Sequence, residues 1–263
     1  MKSDARIGFI GFGNMAQAIA SGLLRAGAVK PEQLCACARN YETLSEKALS
    51  LRIKACKTAE EVIRRSDFVI LAVKPYQIEA LLAPLTGLLE EKALISIAAG
   101  YCFDKYQSLL QEGARHISTI PNTPVAVCEG ILICEEKHSL SKEEYEIFRR
   151  IFSSIAMIET VDTKHLSIAG TLSGCSPAFT AMYLEALSDA GVKHGLTRES
   201  SFRLAAKMLC GTGKLYLEEK KHPGAMKDAV CSPGGTTIRG VASLEKNGFR
   251  GAVIDAIDAI ENS

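Results

Sequence analysis

A chain of 263 residues, 47% hydrophobic and 23% charged, has the composition of an ordinary folded protein with material for two domains, which excludes a disordered or low-complexity chain. Its 31 basic and 30 acidic residues leave a net charge of +1, so no broad footprint for nucleic acid or an anionic membrane surface is expected, and a small ligand is. No apolar run reaches the ~18 residues of a membrane span, and Met1-Lys2-Ser3-Asp4 leads into the first strand without a signal-peptide core, so we expect a cytoplasmic protein.

The opening stretch organises the first half of the chain. Ile7-Gly8-Phe9-Ile10 reads as a short apolar strand that runs into Gly11-Phe12-Gly13-Asn14-Met15-Ala16 and a helix over 15–26. A G-x-G-x-x-A turn between a strand and a helix is a dinucleotide cradle: Gly11 allows the tight turn, Gly13 lets backbone amides approach a pyrophosphate, and Ala16 lets the helix pack closely. The helix start adds free N–H groups and a positive dipole end. A second strand, Leu34-Cys35-Ala36-Cys37-Ala38, ends in Arg39-Asn40 where an NAD-selective sheet would carry a carboxylate for the ribose hydroxyls. Arg39 can instead pair with a 2′-phosphate, so NADPH is expected over NADH. Asn40 is expected to cap the helix that starts at Tyr41, a role compatible with touching the cofactor.

Strand and helix continue to alternate. A short strand at 53–55 is followed by a helix opened by Thr58-Ala59-Glu60-Glu61, which has capping-box spacing. Phe68-Val69-Ile70-Leu71-Ala72-Val73 is a central strand covered on both faces, ending in Lys74-Pro75 where open α/β sheets bind ligands; a solvated lysine is the plain alternative. Ala93-Leu94-Ile95-Ser96-Ile97 is another strand, and the small residues Ala98-Ala99-Gly100 beyond it leave room for a flat ring, or form a tight turn. His116-Ile117-Ser118-Thr119-Ile120 leads to Pro121-Asn122-Thr123-Pro124, a rigid loop in which Asn122 either presents its amide to a ligand or completes a turn. Strands at 130–134 and 157–160 flank a helix opened by the capping box Ser141-Lys142-Glu143-Glu144. About eight strands make this an α/β protein with an N-terminal Rossmann-type doubly wound sheet over residues 1–161.

From residue 162 to 263 the pattern is helical. Long stretches at 166–189, 199–219 and from 237 onward carry enough apolar surface to expect a C-terminal all-α dimerisation domain. Between the last helices, Ser232-Pro233-Gly234-Gly235-Thr236-Thr237 places two glycines before a helix start, which suits a small carboxylate, with the Thr237 hydroxyl beside it; a plain loop and cap is the alternative. The nine cysteines are scattered, mostly in apolar segments, as with Cys35, Cys37, Cys134 and Cys210, and are expected as buried reduced thiols. Cys35-Ala36-Cys37 lacks a second ligand pair, so no metal site is expected.

These residues resemble the pyrroline-5-carboxylate reductases over nearly the whole chain. The resemblance rests on residues 7–16, Ala72-Val73-Lys74-Pro75, Ala98-Ala99-Gly100, Pro121-Asn122-Thr123-Pro124, Leu172-Ser173-Gly174 and Gly191-Val192-Lys193-His194-Gly195-Leu196. Above all it rests on His222-Pro223-Gly224, Lys227-Asp228 and Ser232-Pro233-Gly234-Gly235-Thr236-Thr237-Ile238, in that order. It implies an enzyme that uses NADPH, with NADH as the alternative, to reduce the cyclic imine of 1-pyrroline-5-carboxylate to proline. Residues 162–263 would then serve dimerisation and substrate binding, with the site at the interface of a homodimer or a larger assembly of dimers.

The resemblance implies cofactor contacts at Gly11, Gly13, Asn14, Met15, Arg39, Asn40, Val73, Lys74, Pro75, Ala98, Ala99 and Asn122. It implies substrate contacts at Ser232, Gly234, Gly235, Thr236 and Thr237, with Thr237 orienting the ring nitrogen and Lys74 a second candidate for the proton. Where the family has Ser-Gly-Ser-Gly-Pro, this chain has Ser173-Gly174-Cys175-Ser176-Pro177; Ala59 and Ala229 replace frequent asparagines. A β-hydroxyacid dehydrogenase would carry a catalytic lysine within 176–182, which has none. A reductase-like regulatory protein that binds NADP(H) with weak or no turnover is the other alternative.

Overall fold

The computed structural model describes residues 4–262, so the reading of Met1, Lys2 and Ser3 lies outside the described residues. The strands are β1 (Ile7–Ile10), β2 (Leu34–Cys37), β3 (Lys54–Ala55), β4 (Phe68–Leu71), β5 (Ala93–Ser96), β6 (Arg115–Pro121), β7 (Gly130–Glu135) and β8 (Ala156–Val161). They form one sheet in the order β3-β2-β1-β4-β5-β6-β7-β8. The helices of this half are α1 (Asn14–Arg25), α2 (Tyr41–Leu51), α3 (Ala59–Arg65), α4 (Ile78–Leu82), α5 (Phe103–Leu109), α6 (Lys142–Phe152) and α7 (Leu166–Gly170).

Every residue of β1, β2, β4 and β5 is buried, because helices cover both faces of a parallel sheet. Alternate side chains feed two cores. Ile7 and Phe9 join Ile19, Leu23, Phe148 and Phe152 on one face, while Ile10 joins Val62, Ile63, Leu82 and Tyr106 on the other. All pairings are parallel except β6 with β7, where Thr119 faces Cys134. Only a short loop with a 3-10 turn, Thr123–Val127, joins those strands, which is too little chain for a parallel crossover.

The caps follow the sequence pattern. Asn40 Oδ1 accepts from Thr43 N–H at 3.0 Å to open α2. Ser141 and Glu144 exchange side-chain and backbone bonds at 2.9 and 3.2 Å to open α6. At α3 the box is half made: Thr58 accepts from Glu61 N–H, but the Glu61 carboxylate turns to Lys57 N–H.

The helix expected over 166–189 is interrupted. After α7 comes a turn of π-helix, Thr171–Cys175, and then α8 (Ser176–Lys193). Pro177 has no N–H for the carbonyl four residues back, and that carbonyl, on Ser173, accepts from Asn122 Nδ2 at 3.0 Å instead. By its contacts the chain divides into two compact units, Met1–Cys175 and Ser176–Ser263. The division falls beyond β8 because Gly170 packs on Ile120, and Ser173 is tied to Asn122.

The second unit holds α8, α9 (Arg198–Glu219), α10 (Pro223–Ala229), α11 (Thr236–Lys246) and α12 (Phe249–Glu261). Its buried residues among those described are Ser188, Ser201 and Ala205, while Met182, Leu204, Leu217, Val230 and Ile254 are exposed. None of the described helices is long and apolar enough to cross a membrane. All nine cysteines are free; Cys35, Cys37, Cys56 and Cys134 are buried, but Cys210 is exposed on α9, against the expectation of burial. Its helix belongs to this sparsely buried unit, where an apolar neighbourhood in sequence does not become a core.

Candidate active site

A cleft of about 820 Å³ lies across the carboxyl ends of β2, β1, β4 and β5. This is where the strand order reverses, with β2 on one side of β1 and β4 on the other, and it is where open α/β sheets hold ligands. Gly11, Phe12, Gly13, Asn14, Met15 and Ala16 line its centre. Gly11 adopts a φ of 92°, and a Cβ there would lie 2.5 Å from the Ala72 carbonyl oxygen, so the turn admits glycine alone. Its N–H donates to the Cys37 carbonyl at 2.9 Å, tying the turn to the end of β2.

The residues present fit a dinucleotide phosphate. Gly13 caps α1 by backbone alone, a Cβ on it would meet nothing within 4 Å, and the first turn of α1 carries no acidic residue. The positive end of the helix therefore opens onto the cleft with its amides free of side-chain caps. Ala16, buried at 1% exposure, packs the helix onto β1 as a small residue must.

Ala38, Arg39 and Asn40 line the β2 end of the cleft. Thr43 and Lys47 join them from α2; neither was singled out from sequence, although residues 40, 43 and 47 recur on one helical face. Ala72, Val73, Lys74, Pro75 and Gln77 form the wall beyond β4, with the Gln77 carboxamide accepting from Lys74 N–H at 3.2 Å. Ile97, Ala98 and Ala99 form the wall beyond β5. Arg39, Lys47 and Lys74 are cationic, and no aspartate or glutamate is among the lining residues. The lining is thus complementary to a polyanion.

Asn122 does not line the cleft. It is 5% exposed, its Nδ2 donates to the Ser173 carbonyl, and its Oδ1 accepts from Ile131 N–H at 2.8 Å, so its neighbour Thr123 faces the cleft instead. Both ends of the carboxamide are engaged within the fold.

The loop 232–237 belongs to the second unit. Gly234 has a φ of 69°, Gly235 N–H donates to the Ser232 carbonyl at 3.0 Å, and Gly235 then caps α11 with no side chain. Thr236 and Thr237 open the helix, exposed, with no acidic residue in its first turn. The arrangement offers backbone N–H groups and a free hydroxyl to an anion carrying a polar ring atom.

Comparison with known proteins agrees with this geometry. Residues 163–263 match the family described as pyrroline-5-carboxylate reductase dimerisation, and residues 6–100 match the family described as NADP oxidoreductase coenzyme F420-dependent. The pyrroline-5-carboxylate reductase of Treponema pallidum is 44% identical over 261 residues, covering 98% of this chain and 99% of its own. That of Escherichia coli is 36% identical over 255 residues, covering 97% and 95%. Among solved structures, the pyrroline carboxylate reductase of Plasmodium falciparum with NADP bound superposes with a TM-score of 0.89 at 31% identity, covering 99% of this chain and 97% of that one. With relatives this similar along its whole length, the chain belongs to the pyrroline-5-carboxylate reductase family.

Proposed function

We propose that this protein reduces 1-pyrroline-5-carboxylate to L-proline with NADPH, the last step of proline biosynthesis. The observation that carries the reading is the cleft: a glycine turn and bare helix start at its centre, Arg39 and Lys47 at its β2 end, and no carboxylate in its lining. Relatives named for this reaction, and one solved with NADP bound, support the same assignment.

When bound, NADPH supplies a hydride from C4 of its nicotinamide to the imine carbon, while the imine nitrogen carries the proton that makes this carbon electrophilic. The chain's own part is positioning. Gly11, Gly13, Asn14 and Met15 receive the pyrophosphate; Arg39 and Asn40 take the 2′-phosphate. Val73, Lys74, Pro75, Ala98 and Ala99 form the walls, and Asn122, tied to Ser173 and Ile131, holds the loop that carries Thr123. Ser232, Gly234, Gly235 and Thr236 hold the substrate carboxylate through loop amides, and Thr237 hydrogen-bonds the ring nitrogen. Orienting two reactants in this way is worth several orders of magnitude in rate. Thr237 relays the proton from water, with Lys74 the second candidate donor.

Residues 1–161 then act as the NADP-binding domain and residues 162–263 as the helical dimerisation and substrate-binding domain. The exposed apolar side chains of the second unit support a homodimer, or an assembly of dimers. Nine free thiols suit a reducing compartment such as the cytoplasm.

Oxidation of NADPH and of NADH, followed by the absorbance of the reduced nicotinamide, tests the reading. NADPH is consumed only when 1-pyrroline-5-carboxylate is added, and NADH more slowly; NADPH binding without oxidation would overturn the enzymatic assignment. Thr237→Ala loses one hydrogen bond to a charged ring nitrogen, so kcat/KM for the imine falls about tenfold. Unchanged kinetics in that variant would remove Thr237 from the site.

A further inference from the structure

The wall beyond β5 depends on a residue outside the cleft. The segment 97–102, which carries Ala98 and Ala99, is held near β5 by Ser96: its Oγ accepts from Ala98 N–H at 3.2 Å and is bonded to the Tyr106 hydroxyl of α5 at 2.6 Å. At the other end the segment becomes α5, and there the buried Glu135, 1% exposed at the end of β7, accepts from Phe103 N–H at 2.6 Å. The second oxygen of the same carboxylate accepts from the Thr163 hydroxyl at 2.6 Å. Lys137, two residues further on, pairs with Asp104 at 2.5 Å and lies 4.8 Å over the Phe103 ring. A carboxylate taken out of water is costly unless its oxygens are bonded, and here one oxygen takes the Phe103 backbone N–H and the other the Thr163 hydroxyl.

The geometry assigns Glu135 as a positioning residue for the cofactor: by anchoring the first turn of α5 it sets where Ala98 and Ala99 stand, and through its other oxygen it is itself held by Thr163. This rests on the reading of the cleft as the NADPH site. The Cys102 side chain makes no bond that would cap α5 in place of Glu135.

The test compares Glu135→Met, Glu135→Gln and Thr163→Val in the full-length enzyme. It measures NADPH affinity by fluorescence titration, KM and kcat with 1-pyrroline-5-carboxylate, and amide exchange over 98–103 without cofactor. Glu135→Met should raise Kd and KM for NADPH about tenfold, leave kcat within twofold, and speed exchange over 98–103. Glu135→Gln should remain within twofold of wild type, since its oxygen still accepts from Phe103 N–H and its amide can donate to the Thr163 oxygen. Thr163→Val should weaken NADPH about threefold. Loss of thermal stability in Glu135→Met with unchanged Kd and unchanged exchange would overturn the assignment. If that variant does not fold, wild-type Kd in Thr163→Val overturns it alone. Should the wild type bind NADPH but reduce no imine, the proposed reaction fails while the affinities still judge Glu135; should it bind none, the reaction and the assignment of Glu135 fall together.

Discussion

Single side chains decide the cofactor end of the site and part of the stability. Arg39 is exposed and lines the β2 end of the cleft, so Arg39→Ala should raise KM for NADPH about tenfold and leave that for NADH unchanged; equal effects on both would exclude a 2′-phosphate contact. His116 behaves differently. It is 1% exposed, stacks on Phe103 at 4.5 Å, and neither ring nitrogen has a protein partner. Burial, with His138 adding to it, pushes its pKa down to about 4. An unfolded histidine titrates near 6.5, so between pH 6.5 and 4 the unfolded chain binds a proton that the folded chain refuses. This contribution is intact above pH 6.5, and about 3 kcal/mol is lost by pH 4. Urea unfolding at several pH values should show the slope, and His116→Phe should flatten it. Arg39 was legible as a cation at the end of an apolar strand; the burial of His116 was not, because a histidine opening a strand reads alike whether a helix covers it or solvent does.

Elements meet with little slack. α1 crosses the 3-10 turn Thr123–Val127, and a Cβ on Gly22 would lie 2.1 Å from the Val125 carbonyl oxygen. Gly22→Ala must therefore push helix and turn apart. A loss of about 1–3 kcal/mol is expected, read as a lower thermal midpoint, whereas an exposed helical glycine would gain stability from the same change. The G-x-G-x-x-A turn, the caps at Asn40 and Ser141 and the strand alternation were all legible, since each is a local pattern. The π turn before Pro177 interrupts the stretch expected as helix over 166–189, and the rescue of the Ser173 carbonyl comes from Asn122, 51 residues away in sequence. No spacing rule reaches that far.

At the scale of the whole molecule, the helices after residue 175 bury little of themselves, and their exposed apolar side chains need a covering surface. Sedimentation at micromolar concentration should give at least twice the 28.3 kDa of one chain, and the thermal midpoint should fall on dilution; a concentration-independent monomer would exclude the dimer. From sequence alone came the α/β class, the glycine turn, the basic residue after β2, and the change to helices beyond β8. These depend on period, turn chemistry and residue type within a few neighbours. The three-dimensional fold decided that β7 runs against β6, that Lys47 and Thr43 face the same cleft as Arg39, that Asn122 is spent on Ser173 and Ile131, and that Glu135 accepts from Phe103 N–H at the start of α5. Each of these joins residues from separate segments, and a bond between distant segments is set by packing, which leaves no local period to read.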